Sequence, residues 1–464
     1  MKRMVRILLM LLVLGVAFFG IPAIARAADP TGTATLEGNP NAAVNMAWTL
    51  IAGFLVWFMQ LGFAFLGAGL IRSKNQTNYW TKSFMDFCIA SLGFWAFGFA
   101  LMFGGSKLFP GLDQGNSFIG FSGFFLSGDS YDVSTIMMWF FQMVFAATAA
   151  TIVAGAVAER MKITAYLAYA FVIGALVYPI YGKWIWGGGW LSTLSIAGTV
   201  GARDFAGSGV VHMVGGLAAL IGAAMVGPRI GKFNKDGTPN AIKGHNLPFV
   251  VIGTFILFFG WFGFNPGSTL AATDLRISII AVNTFLAGVA GAVVAIYWRF
   301  ARTGKMDIIS GCNGCLAGLV AITAPCAFVA PWAAVLIGAI AVPVMFATAH
   351  IVERVLKVDD AVGAVPVHFG GGLWGLLAVG IFADGTYLGV KGLITGEVGQ
   401  LLLQLVDIGA LVVWVGLAMF ITFWFIKRSI GLRASREEEL QGLDISEHGI
   451  EAYPVESPAR SSAS

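Results

Sequence analysis

Val211-His212-Met213-Val214-Gly215-Gly216-Leu217 has a second copy further along the chain, Val367-His368-Phe369-Gly370-Gly371-Gly372-Leu373, sharing Val, His, Gly, Gly and Leu in register. Each histidine is preceded, eight residues upstream, by an aspartate: Asp204 in the first copy and Asp360 in the second. Both copies lie in long apolar segments. An ionisable side chain inside such a segment is costly to keep when the surroundings are lipid, so two at equivalent positions mark a functional site.

The surroundings do read as lipid. Of 464 residues, 58% are hydrophobic and only 11% charged, less than half of the roughly 25% usual in soluble domains. That composition excludes a soluble globule, a disordered chain, a disulfide scaffold and a coiled coil. The net charge of +4 is too small to suggest nucleic-acid binding. Cys88, Cys312, Cys315 and Cys326 lie in or beside apolar stretches and say little about redox compartment.

A spanning helix needs about 20 mostly apolar residues. Segments of that kind fall near 46–71, 84–104, 133–157, 163–181, 206–226, 247–266, 277–300, 308–323, 331–351, 365–383 and 402–427. The fold expected is therefore an all-α polytopic membrane protein of eleven transmembrane helices. Upstream, Lys2, Arg3 and Arg6 precede an apolar run, and Ala25-Arg26-Ala27 offers small residues for a peptidase. Residues 1–27 thus read as a cleavable signal peptide, with 28–428 the membrane domain and 429–464 a cytoplasmic tail. With the mature amino terminus outside, the expected cytoplasmic segments hold Arg72, Lys74, Lys82, Arg160, Arg229, Lys232, Lys427 and Arg428, among others. The external ones hold only Lys107, Lys183, Arg203, Arg276 and Lys391. This asymmetry is the positive-inside pattern, and with the signal it suggests a bacterial inner membrane.

The histidine copies then acquire a geometry. They sit on the fifth and tenth segments, and an odd offset of five makes the copies run in opposite directions. That is the mark of an inverted repeat, helices 1–5 against 6–10 with helix 11 left over, and it puts the site near mid-membrane between the halves. Glycine-rich faces at 214–222 and 370–375 allow close approach. The imidazoles can then hydrogen-bond each other and still offer a group to a small polar solute. Asp204 and Asp360 can cap backbone N–H groups, and Asp204 can also attract a cation. Cys312-Asn313-Gly314-Cys315 has redox spacing but no accompanying ligands, and reads as small-residue packing. His245, His350 and His448 are given no transport role. No nucleophile or metal-ligand set accompanies His212, His368 and Asp204, so neither an enzyme nor a bound metal or cofactor is expected.

Beyond these features the chain resembles the Amt/MEP/Rhesus family of ammonium transporters, in its bacterial Amt branch. The resemblance runs from Gln60-Leu61-Gly62-Phe63-Ala64 to Ser446-Glu447-His448-Gly449. Its most specific elements are Asp204-Phe205-Ala206-Gly207-Ser208-Gly209-Val210-Val211-His212, Gly263-Phe264-Asn265-Pro266-Gly267-Ser268, Trp186-Gly187-Gly188-Gly189 and Phe141-Gln142-Met143-Val144-Phe145. The resemblance implies a homotrimer. It also implies an external ammonium site of Trp186, Ser268 and Phe145, with Asp204 counted beside them. Beneath it come a gate of Phe145 and Phe264, then a hydrophobic pore lined by His212 and His368 with Trp261 near its wall. Gly67 departs from the pattern, since some relatives carry glutamate there. The tail resembles a region that lies on the cytoplasmic face, contacts a neighbouring subunit and adjusts transport, and a PII-type nitrogen-regulatory protein is the implied partner. In 431–453, Leu432, Leu440, Leu443, Ile445 and Ile450 need somewhere to pack, whereas from Pro454 onward the composition reads as disordered.

Two function classes follow. One is transport: capture of ammonium, loss of a proton and passage of ammonia. The other is an ammonium sensor acting through a regulator at the cytoplasmic face, since no output domain follows Arg428.

Overall fold

The computed structural model describes residues 28–453 except Lys107 and Pro110. The signal-peptide assignment for 1–27, the external placing of Lys107 and the reading of the tail beyond Tyr453 lie outside the described residues. Among those described, nine helices are long and apolar enough to cross a membrane, and two shorter apolar helices accompany them. In chain order they are α1 (Ala42–Leu70), α2 (Ser73–Phe103), α3 (Val133–Val157), α4 (163–185), α5 (Ser208–Val226), α6 (Leu247–Phe264), α7 (Ile277–Thr303), α8 (Ile308–Thr323), α9 (Pro331–Val355), α10 (Pro366–Phe382) and α11 (Gly399–Ser429). A short helix, α12 (Arg436–Gln441), follows in the tail. The short ones are α8 and α10. The chain is a multi-pass helical membrane protein.

Glycine sets the closest approaches. A methyl group at Gly253 of α6 would strike Leu66 N, and one at Gly263 would strike the Ala52 carbonyl, so α6 lies backbone to backbone along α1. Between α5 and α10, added carbons at Gly216 and Gly372 would hit Phe369 N and the Ser208 carbonyl. Gly314, between Cys312 and Cys315, packs in the same manner on Gly291 and Ala295 of α7. Small residues bring helices together where lipid supplies no hydrophobic drive.

Two expectations need correcting. The second helix begins at Ser73, not near residue 84. Its first turns carry Gln76, Asn78 and Lys82, which read as loop because they are polar. Each is buried and finds a partner distant in sequence: Gln76 Nε2 meets His245 Nδ1 (3.3 Å), Asn78 meets the tail, and Lys82 Nζ donates to the Met161 carbonyl. Similarly Lys183, placed in an external loop, is buried near the end of α4, donating to the carbonyls of Gly104 and Gly187 (both 2.8 Å). The fourth helix therefore runs past residue 181 despite Pro179. A wide π turn at Ile173–Val177 precedes that proline and relieves the clash its ring makes in a regular helix.

At the end of the bundle where α3 and α9 finish, buried charges join the connecting segments. Glu159 accepts from the Arg72 N–H (2.8 Å) and pairs with the Arg72 guanidinium, while Arg229 forms a fork with Asp359 (2.8 and 2.9 Å). Arg160 spends its guanidinium on the carbonyls of Ala156, Ala158, Gly227 and Asp359. Glu159 holds φ at +70°, a left-handed conformation unusual for a residue with a side chain, and these partners fix it there. The tail is stitched to the same face. Arg433 pairs with Glu439 (2.6 Å), Glu439 accepts from Ile230 N (2.7 Å), Asp444 accepts from Asn78 N (2.8 Å), and Glu447 accepts from Ile163 N at the start of α4 (3.0 Å). Leu432 and Leu443 are buried, whereas Leu440 and Ile450 stay exposed.

Burial favours the neutral acid at Asp359, but hydrogen bonds from Arg229 and the charges of Arg160 and Arg229 outweigh it and hold its pKa at about 2, below the ordinary 3.8. The folded-state pKa is depressed, so the stabilisation is complete above pH ~4 and is lost as pH falls toward 2. Asp359→Asn should cost about 3 kcal/mol by removing the carboxylate of Arg229's two-bonded fork, with only Glu159 at 3.5 Å left beside the guanidinium among the described residues. Thermal unfolding of the purified protein should show that loss and a flatter pH dependence between pH ~4 and ~2.

Candidate functional site

The two aspartates build the two halves of the site in the same way. Asp204 Oδ1 accepts from Gly207 N and Ser208 N (2.8 and 3.0 Å), and Oδ2 from Gly209 N and Val210 N (2.8 and 2.9 Å). Asp360 Oδ1 accepts from Gly363 N and Ala364 N (both 3.1 Å) and Oδ2 from Val365 N (2.7 Å). The fourth bond is missing in the second half because the matching residue is Pro366, which has no N–H. Three residues after each aspartate comes a left-handed glycine, Gly207 (φ +115°) or Gly363 (φ +80°), which turns the chain into the helix. Each helix then opens on a π segment, Ser208–Met213 or Pro366–Gly370, that carries the histidine. Such wide turns re-aim side chains and recur at functional sites.

The result is a pair of facing imidazoles. His212 Nδ1 and His368 Nδ1 lie 3.3 Å apart, with ring centroids 5.3 Å apart and planes inclined by 22°. One ring donates and the other accepts through Nδ1, which leaves the two Nε2 atoms with opposite roles. Both histidines are buried, and His212 Nε2 has no hydrogen-bond partner among the described residues. Trp261 stacks on His212 (5.1 Å, 21°), its Nε1 held by Thr323 Oγ1 at 2.8 Å.

An aromatic column continues from the pair. Phe264 lies 5.5 Å from His212, and Phe145 lies 4.2 Å from Phe264, both rings fully buried. Trp186, half-buried at the end of α4, meets Phe145 edge-on at 6.1 Å. Ser268, in the turn after α6, donates its hydroxyl hydrogen to the Phe264 carbonyl (2.7 Å), which leaves its oxygen lone pairs for an N–H donor. Trp186 Nε1 donates to the backbone carbonyl of Asp204 (2.6 Å). Asp204 thus orients Trp186 through its main chain and the start of α5 through its buried carboxylate.

Some contributors were not legible in the sequence. Lys183 anchors the Trp186–Gly187 turn, Thr323 fixes Trp261, and Ser208 Oγ ties α5 to α8 by donating to Val320 O and accepting from Ala324 N (both 2.7 Å). On the other side of the histidines a small cavity is lined by Phe63, Tyr79, Thr151, Leu316, Val367 and His368. The departure at Gly67 is accounted for there: the Tyr79 hydroxyl occupies the space a side chain at Gly67 would need.

Fold and site define a multi-pass membrane protein with two inverted half-sites meeting at a buried histidine pair. The Ammonium Transporter Family pattern matches residues 47–453, and the chain belongs to that family. It is 53% identical over 439 residues to ammonium transporter Amt2 of Archaeoglobus fulgidus, covering 92% of each chain. Among solved structures it resembles a Sensor Amt Protein (TM-score 0.80, 38% identity, covering 89% of this chain and 100% of that one). It also resembles Mep2 of Candida albicans (TM-score 0.75, 28% identity, covering 85% and 87%).

Asp204→Asn keeps the size but gives up acceptors to a buried set of four N–H groups. We expect a loss of about 2 kcal/mol in stability, read as a lower unfolding temperature. The fully buried, four-bonded site should lose more than Asp360→Asn at the three-bonded one.

Proposed function

We propose that the protein captures ammonium at Trp186, Phe145 and Ser268, removes a proton there, and conducts ammonia past Phe145 and Phe264 along His212 and His368, with Trp261 as pore wall. The single observation that carries this reading is the hydrogen-bonded histidine pair lying directly beneath two phenylalanines in close ring contact (4.2 Å, tilted by 37°). A tryptophan face attracts a small cation, and a serine oxygen accepts a hydrogen bond that ammonium can give and K⁺ cannot. Asp204 contributes by orienting Trp186 and by its negative charge behind the vestibule.

Energetics favour deprotonation. Carrying a bare cation through a column of buried aromatic rings costs on the order of tens of kcal/mol. Ammonium can shed a proton instead, which costs about 3 kcal/mol if its pKa lies roughly two units above neutral. Ammonia then accepts from or donates to the free Nε2 atoms of the pair. Selectivity against K⁺ follows because K⁺ has no proton to lose.

The wider setting belongs to the same proposal. Eleven spans, counting α8 and α10, would put the two termini on opposite sides; in this reading the amino terminus lies outside and the tail in the cytoplasm of a bacterial inner membrane, with the mature chain assembled as a homotrimer and a PII-type protein docking on the tail face. The positive-inside charge pattern supports the orientation. A second reading, an ammonium sensor, is favoured by the likeness to the Sensor Amt Protein. In that reading the docked tail would pass occupancy to a bound regulator.

Two tests address the pathway. Trp186→Leu should weaken apparent ammonium affinity by about 0.5–2 kcal/mol, and Ser268→Ala should also weaken it; unchanged affinity in both proteins would remove the vestibule site. Replacing His212 and His368 together should cost far less flux than the two single losses combined, because they act as one unit. Additive losses in a transport assay would separate them.

A further inference from the structure

The start of α2 takes its cap from the tail. The helix opens on a 3₁₀ turn, Ser73–Asn75, and neither Arg72 nor Asn75 caps it with a side chain. A cap residue ordinarily accepts from the N–H two or three positions into the helix. Here the N–H three positions past Asn75, that of Asn78, donates to Asp444 Oδ1 of the tail (2.8 Å). Asn75, in the cap position, spends its own side chain on the tail, accepting from Leu443 N (2.9 Å). Lys74 Nζ donates to the carbonyls of Glu439 and Leu440 (2.8 and 2.6 Å), and Asn78 Nδ2 meets Glu447 and His448.

One residue further on, the same turn of helix faces the pore. Tyr79 is buried and lines the small cavity that His368 also lines. That cavity holds about 30 Å³, enough for a single water-sized molecule. The end of the Tyr79 ring rests on the backbone of α1 at Gly67, where an added methyl group would overlap the hydroxyl. Among the described residues the Tyr79 hydroxyl makes no hydrogen bond. Packing alone seats the ring, beside a space that the ring would fill if it shifted.

We infer that Tyr79 is a gate at the tail-side end of the pore, held open by the docked tail. With Asp444 capping α2, the ring stays on Gly67 and the cavity beside His368 stays free for one small solute. When the tail leaves, the first turn of α2 loses its cap together with the partners of Asn75 and Asn78. Uncapped N–H groups destabilise a helix start, the turn loosens, and the ring moves off its seat into the cavity. The gate rests on the transport reading above and names the side chain through which the tail adjusts flux. It lies on the far side of the histidine pair from Phe145 and Phe264.

The test measures ammonium-driven flux in liposomes containing the full-length protein. Asp444→Ala removes the cap and should lower flux about fivefold, the scale of one lost helix cap. Gly67→Ala puts a methyl group into the seat while the tail stays docked, and it should lower flux in the same way. Tyr79→Leu removes the ring, so adding Asp444→Ala or Gly67→Ala to it should lower flux no further. Unchanged flux in either single variant would overturn the gate, as would a loss that persists undiminished once Tyr79→Leu is present. Gly67→Ala carries the test if Asp444→Ala fails to fold. Absence of ammonium flux in the unsubstituted protein would instead refute the transport reading on which the gate stands.

Discussion

Everything near the middle of the bundle depends on one hydrogen bond, His212 to His368. Each imidazole is buried among apolar groups, where an unmade hydrogen bond costs about 1–3 kcal/mol. Among the described residues, Nδ1 of each ring finds its hydrogen-bond partner in the histidine from the opposite half of the repeat. That requirement fixes how α5 and α10 must meet. Glycines at 216 and 372 permit the approach, and the two π segments turn the rings toward each other. The aspartates then hold the helix starts so that the turns cannot relax. The site is a consequence of two equivalent constraints meeting at an axis, with a proline in one half accounting for the difference between them.

The far face is organised by a different rule. There the polar groups are charged and the partners are backbone as often as side chain. Arg160 alone gathers four carbonyls, one from the end of α3 and three from connecting segments, and the tail adds Arg433, Glu439, Asp444 and Glu447 to the same lattice. A tail bound through the first turns of α2 and α4 is placed to feel any movement of those helices. This offers a physical basis for the proposed regulatory role, because the tail acidic groups serve as acceptors for N–H groups that a helix start leaves unpaired.

How far the sequence could be read depended on whether a residue's partner was near it in the chain. The third and eighth helices fall where their apolar runs begin and end, at Val133–Val157 and Ile308–Thr323. The histidine pair was legible because the repeat advertised it, and the glycine faces agreed. The start of α2 was not, because Gln76, Asn78 and Lys82 are polar and their partners are His245, the tail and Met161. Lys183 misled in the same way. Ser268, Trp186 and the two phenylalanines have no local signal beyond resemblance to the family, and the hydroxyl of Tyr79 filling the space over Gly67 is visible only once α1 and α2 are packed together.

The central claim is that ammonium alone among small monovalent cations has a way through, because it can leave its proton behind. The most direct measurement is flux in liposomes containing the purified full-length protein, under matched inward gradients of ammonium and of K⁺. The account predicts saturable ammonium-driven transport with K⁺ movement no greater than in empty vesicles. Comparable K⁺ flux, or ammonium binding with no flux, would contradict it.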